Sequence, residues 1–202
     1  MKLSDDVTDD KHGGEVREHL GDDSAPGLDS ISVGENDWLL VVGCEAGSLN
    51  RVLLARLGTE GRVIGIDVSE AAVALAAANA NDVRASFHVA DALHVPVSDE
   101  CIDTAFFTSA WPHLENPMAV ATEMLRVLRP GGTLHVWHPF LRQRGDAAQL
   151  GADESLRREL LAPAADTATL LIWAGYATSM IYEKPDSFLV TASKEKRSLG
   201  SS

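Results

Sequence analysis

The chain reads as an α/β domain with a doubly wound, mostly parallel sheet of seven strands and helices on both faces. Three observations predict it. Short apolar runs alternate with helical patterns from residue 38 onward, and such alternation builds a parallel sheet covered on both sides. The first run, Trp38–Val42, is continuously apolar, as a central strand buried on both faces must be. The right-handed crossover rule then winds the successive strand–helix units around the sheet.

Residues 1–30 are polar and acidic, with Gly13-Gly14, Gly21 and Pro26-Gly27, and read as a loosely ordered arm; the functional alternative is a lid. The folded domain is expected over 31–195. Strand one covers about 38–42, followed by a glycine turn and a helix over about 48–57. Strand two covers about 62–66. Ser69 is the expected N-cap of an alanine-rich helix over 70–79, and alanine favours helix at low entropic cost. Strand three spans about 85–89 and strand four about 102–108. Asn116 followed by Pro117 predicts a capped helix start, with a helix over about 118–128. Arg129-Pro130-Gly131-Gly132 is expected to break it, and strand five to run over 133–137. Helical stretches are expected near 153–161 and 165–173, separated by Pro163. The segment 140–174 is the expected substrate cover. Two last strands, about 177–183 and 187–193, flank the tight connection Lys184-Pro185-Asp186 and must be antiparallel. They add one reversed strand at the sheet edge. Residues 196–202 read as a frayed tail.

Composition narrows the partners. A chain of 202 residues with 45% hydrophobic content suits one soluble domain with a sizeable core. No stretch is apolar for long enough to span a bilayer. The acidic start Met1-Lys2-Leu3-Ser4-Asp5-Asp6 lacks the apolar core of a secretory signal, which places the protein in the cytoplasm. A net charge of −13 disfavours a nucleic-acid partner, since phosphate backbones select basic surfaces. The spread of acids over the whole chain has two readings: the solubilising surface of a protein from a salt-loving cell, or an ordinary acidic enzyme. Cys44 and Cys101 lack metal-ligand spacing and read as small buried side chains. No pattern predicts a metal site.

The chemistry concentrates at the ends of the first strands. Gly43 and Gly47 bracket the turn after strand one. Glycine lets backbone approach a ligand where a Cβ would clash, and the following helix offers unpaired N–H groups. Strand two ends in Asp67, whose carboxylate can accept both hydroxyls of a ribose. His113 and His138 follow strands four and five, where ligands bind in such sheets. Either can orient or deprotonate a substrate, His113 being the candidate catalytic residue. Trp111 and Trp137 beside them read as an aromatic wall or as core. His88, His94 and His135 read as structural. Arg142, Arg144, Arg157 and Arg158 read as an attraction for an anionic substrate or as a solvated helix face.

Taken in order, five segments resemble the class I S-adenosylmethionine-dependent methyltransferases, in the small-molecule branch. They are Val41–Gly47, Gly65-Ile66-Asp67-Val68-Ser69, Ala90-Asp91-Ala92 with Leu93–Pro96, Asp103–Phe107, and Glu123–Gly132. The resemblance covers about 38–193. It implies a Rossmann-like sheet of order 3-2-1-4-5-7-6 with the last strand antiparallel; a monomer or homodimer is expected. It implies S-adenosylmethionine as methyl donor. The glycine loop (Gly43, Cys44, Glu45, Gly47), the strand-two end (Asp67, Val68) and the strand-three end (Asp91, Ala92) would hold it, with Asp91 and the Ala92 N–H on the adenine. The acceptor is then a small molecule, and catalysis is chiefly in-line positioning in a desolvated pocket.

Two residues depart from that pattern: Val41 stands where the family usually carries an acid, and Glu45 where it carries a glycine. Glu45 either reaches the donor's ammonium or sulfonium and partly replaces the acid, or crowds the site. Hence the second functional reading, a methyltransferase-like binding or scaffold protein without activity. A nicotinamide-dependent oxidoreductase is disfavoured, because the turn has only Gly43 and Gly47 of the Gly-x-Gly-x-x-Gly fingerprint.

Overall fold

The computed structural model describes residues 28–108, 110–139, 164–184 and 187–197. Seven strands form one sheet: β1 (Trp38–Val42), β2 (Arg62–Asp67), β3 (Ala85–Val89), β4 (Ile102–Phe107), β5 (Leu128–Pro139), β6 (Ala177–Lys184) and β7 (Ser187–Ser193). Their spatial order is β3-β2-β1-β4-β5-β7-β6. Strands β1 to β5 pair in parallel. Strand β7 runs antiparallel to both β5 and β6, so the reversed strand lies one in from the edge and β6 is outermost.

Alternation along the strands divides the core in two. Leu40, Val42, Ile66, Phe107 and Val136 face α3 (Pro117–Val127) and α4 (Ala164–Trp173). Leu39, Val41, Val63 and Phe106 face the other way, toward α1 (Ser48–Leu54) and Ala76 of α2 (Glu70–Ala80). Every residue of β4 is buried, including the polar Asp103 and Thr104. Leu28, in a 3-10 turn over Leu28–Ser30, and Ile31 join the second core. The rest of the expected 1–30 arm lies outside the described residues.

Local signals act as expected at two helix starts. Ser69 caps α2, its side chain accepting the Ala72 N–H at 3.3 Å. Asn116 caps α3, accepting the Ala119 N–H at 3.0 Å, with Pro117 in the first turn. The chain leaves α3 differently from the sequence expectation. Strand β5 starts already at Leu128, paired with Ile102, and the next pair is Thr104 with Thr133. Arg129-Pro130-Gly131-Gly132 is therefore a bulge inside the strand, with Gly131 at φ +85. The bulge lets Arg129 form an ion pair with the buried Asp103, whose other oxygen accepts the Trp38 N–H at 2.6 Å. Lys194 closes the end of α3, donating to the carbonyls of Leu125 and Leu128 at 2.7 and 2.8 Å, where a cation suits the helix dipole.

Of the expected cover 140–174, the helix near 165–173 is α4. Its Ala164, Ala168 and Leu171 are buried in the core beside α3. The stretch 153–161 and the four arginines at 142, 144, 157 and 158 lie outside the described residues.

Candidate functional site

Four strand tips open on one cleft of about 490 Å³, within the range of small-molecule pockets. The turn after β1 forms its floor. The N–H groups of Gly43 and Cys44 both donate to the Ile66 carbonyl, at 2.9 and 3.1 Å, folding the chain across the end of β2. Gly43 has φ +76, and a Cβ there would lie 2.9 Å from the Ala110 Cβ. The close approach of the Ala110 segment therefore requires glycine at this point of the cleft wall.

Asp67 stands at the end of β2, held from both sides. Its Oδ1 accepts the Ser69 N–H at 2.9 Å and its Oδ2 the Glu45 N–H at 3.2 Å. Each oxygen keeps a second acceptor position for a ligand hydroxyl. Asp91 follows β3 and is oriented the same way, Oδ1 accepting the Leu93 N–H at 2.9 Å. On the far side, the 3-10 turn Trp111–His113 brings His113 to the cleft. Trp111 anchors that turn: it is buried and meets Phe107 edge-on at 5.1 Å.

The cleft is lined by Gly43, Glu45, Asp67, Val68, Asp91, Ala92 and His113. Two other loop residues do not line it. The Cys44 side chain is buried in the α1-side core, and burial, with the Asp67 charge beside it, pushes its thiol up to about 11. Gly47, at φ +80, precedes α1, and a Cβ there would lie 3.0 Å from Ala76 Cα of α2; it serves helix packing. Cys101 is half-buried and donates weakly to the Ser98 carbonyl at 3.0 Å. Trp111 and Trp137 belong to the two opposite cores. His135 is buried between Thr133 and Thr191, whereas His88 and His94 are exposed and line nothing in the cleft. His138 has its backbone in β5; its side chain lies outside the described residues. Sequence reasoning passed over Glu115 and treated Asn116 only as a cap, yet both line the cleft. Their position in the same post-β4 loop as His113 was the available signal.

Glu123 and Arg126, within the segment Glu123–Gly132, support the cleft from behind. Glu123 Oε1 accepts the Val95 N–H at 2.8 Å. Arg126 donates to the carbonyls of Val95 and Val97, both at 3.0 Å, and grips Glu123 with two nitrogens at 2.7 and 2.8 Å. The guanidinium holds the Glu123 carboxyl below the ordinary carboxylate range. Together they brace the loop that follows Asp91 and Ala92.

A family model described as a methyltransferase domain matches residues 40–136. The chain is 36% identical over 111 residues to 2-methyl-6-phytyl-1,4-hydroquinone methyltransferase of Synechocystis sp., covering 54% of this chain and 34% of that protein. It is also 36% identical over 97 residues to the chloroplastic tocopherol O-methyltransferase of Arabidopsis thaliana, covering 46% of this chain and 27% of that one. The chain thus spans about a third of the length of the first curated relatives it matches. The crystal structure of a SAM-dependent methyltransferase from Aquifex aeolicus superposes with a TM-score of 0.70 at 22% identity, covering 82% of this chain and 86% of that chain.

Residues 40–136 thus match a methyltransferase domain, on the fold seen in an S-adenosylmethionine-dependent methyltransferase. S-adenosylmethionine is the methyl donor that goes with this domain, and the cleft fits it in two observed respects. Backbone passes bare at Gly43, and two carboxylates at adjacent strand tips are oriented by backbone N–H groups with acceptor positions to spare. On β1 the acid that the resemblance leads one to expect is absent: Val41 is buried and packs in the core.

Proposed function

We propose that the protein transfers a methyl group from S-adenosylmethionine to a small-molecule acceptor. The observation that carries this reading is the convergence of Gly43, Asp67, Asp91 and His113 on one cleft. S-adenosylmethionine supplies a methyl group made electrophilic by its sulfonium. Asp67 accepts the two ribose hydroxyls. Asp91 accepts the adenine amino group while the Ala92 N–H donates to the ring, and Val68 covers the nucleoside. His113 orients the acceptor and, where the acceptor loses a proton, receives it. The rest of catalysis is alignment in a closed space.

The names of the quinol and tocopherol methyltransferases support a small-molecule acceptor. The cleft walls support it too: carboxylates line them, and among the described lining residues none is lysine or arginine, which disfavours a phosphate backbone. Among the described residues no helix is long and apolar enough to cross a membrane, and no group of three His, Cys, Asp or Glu is placed to hold a metal. We place the protein in the cytoplasm as a monomer or homodimer.

One observation favours the second reading, a methyltransferase-like binding protein without activity: Glu45 occupies the turn at φ +46 and lines the cleft. Calorimetric titration separates the two. Binding of S-adenosylmethionine and S-adenosylhomocysteine, weakened by roughly 1.5–3 kcal/mol in Asp67→Ala, supports the donor site. No heat and no thermal shift with either nucleoside would leave the inactive reading.

A further inference from the structure

Glu45 carries a side chain in a backbone conformation that glycine adopts freely and other residues resist. Such residues persist where their surroundings over-determine them, and they concentrate at functional sites. The turn itself does not require a glutamate. The bonds that hold it are made by backbone: the Glu45 N–H to Asp67 Oδ2 at 3.2 Å, and the Gly47 N–H to the Cys44 carbonyl at 2.8 Å. Glycine at position 45 would make the first of these equally well. The carboxylate is exposed and takes no hydrogen bond or ion pair among the described residues.

Its place in the cleft gives it a task. Asp91 and Asp67 occupy the tips of β3 and β2, and Glu45 comes next, at the tip of β1, before the loop that carries His113. A nucleoside seated on the two aspartates leaves the remainder of the donor along the β1 tip. That remainder is a methionyl arm bearing an ammonium and a sulfonium. Strand β1 offers it no carboxylate of its own, because Val41 is apolar and buried. We infer that Glu45 is a donor-specificity residue, its carboxylate holding the positive charge of the methionyl arm from the left-handed turn. The inference rests on the reading of the cleft as an S-adenosylmethionine site.

The test titrates the full chain, Glu45→Gln and Glu45→Gly with three ligands: S-adenosylmethionine, S-adenosylhomocysteine and 5′-methylthioadenosine, which has the nucleoside but neither charge. Both variants should lose roughly five- to tenfold in affinity for S-adenosylmethionine and keep that for methylthioadenosine. An equal loss for S-adenosylhomocysteine assigns the contact to the ammonium; a loss confined to S-adenosylmethionine assigns it to the sulfonium. Glu45→Gly should keep the wild-type unfolding midpoint, so that weaker binding cannot be ascribed to a damaged fold. Unchanged or tighter S-adenosylmethionine binding in Glu45→Gly overturns the inference and makes the side chain an obstruction. A parallel loss of methylthioadenosine overturns it as well, because the role would then be structural. A wild-type chain that binds none of the three defeats the donor-site reading itself, and the inference with it.

Discussion

Replacing Arg126 by methionine should unfasten the loop behind Asp91 at a cost of about 3 kcal/mol. The figure comes from the contacts. Two bonds to the Val95 and Val97 carbonyls and a two-nitrogen grip on Glu123 are lost. The pair with Asp99 adds little, because that carboxylate is 74% exposed. Charge-assisted bonds contribute about 1.5–3 kcal/mol each when buried. Arg126 is one-third exposed, so solvent replaces part of each bond and the sum falls well below four times that figure. Among the described residues Glu123 is left with the Val95 N–H as its one hydrogen-bond partner, and its side chain is only 14% exposed. Methionine keeps most of the aliphatic packing, which isolates the polar loss. Urea unfolding with a constant m-value measures the change, and Arg126→Lys should recover less than half, since lysine cannot grip bidentately. Hydrogen exchange at Val95 and Val97 should quicken more than at Leu40 or Phe106. A loss under 1 kcal/mol, or exchange unchanged in the loop, would refute the brace.

The remaining predictions concern pH and the cleft floor. Burial pushes His135 down to about 4 from 6.5, so the folded state keeps it neutral while the unfolded chain protonates it. Stability should therefore fall as pH drops from about 6.5 to about 4, by at most about 3 kcal/mol, and His135→Gln should flatten denaturation midpoints across that window alone. Asp82, held down to about 2 by Arg84, adds its own loss only below about pH 4. Gly43→Ala should destabilise by about 1–2 kcal/mol through its left-handed backbone. It should also weaken nucleoside binding, because the new methyl meets Ala110 at 2.9 Å and displaces that part of the cleft wall; thermal shift with and without S-adenosylhomocysteine reads both effects.

Much of this protein is written in local pattern. Period and punctuation set the strands and helices: the apolar run at β1, the Ser69 and Asn116 caps, and the hairpin connection before β7 each act through neighbours within a few residues. Parallel pairing and handedness then leave few ways to order the sheet, and the observed order is the one the family resemblance implies. The place of Asp67 at the cleft was legible because the ends of parallel strands are where such sheets bind ligands; that of Asp91 came from the family resemblance.

What only tertiary structure decided are facts of packing between distant segments. That Cys44 turns into the core while Glu45 turns to the cleft depends on the left-handed turn and on Asp67, 22 residues away. That Arg129-Pro130-Gly131-Gly132 bulges within β5 depends on the Asp103 partner waiting in β4. That Glu123 and Arg126 brace a loop, and do not merely decorate a helix, depends on Val95 and Val97 lying against them. Chain pattern specifies a residue's own conformation; which partner its side chain meets is settled by contacts between segments far apart in sequence, and those no local signal encodes.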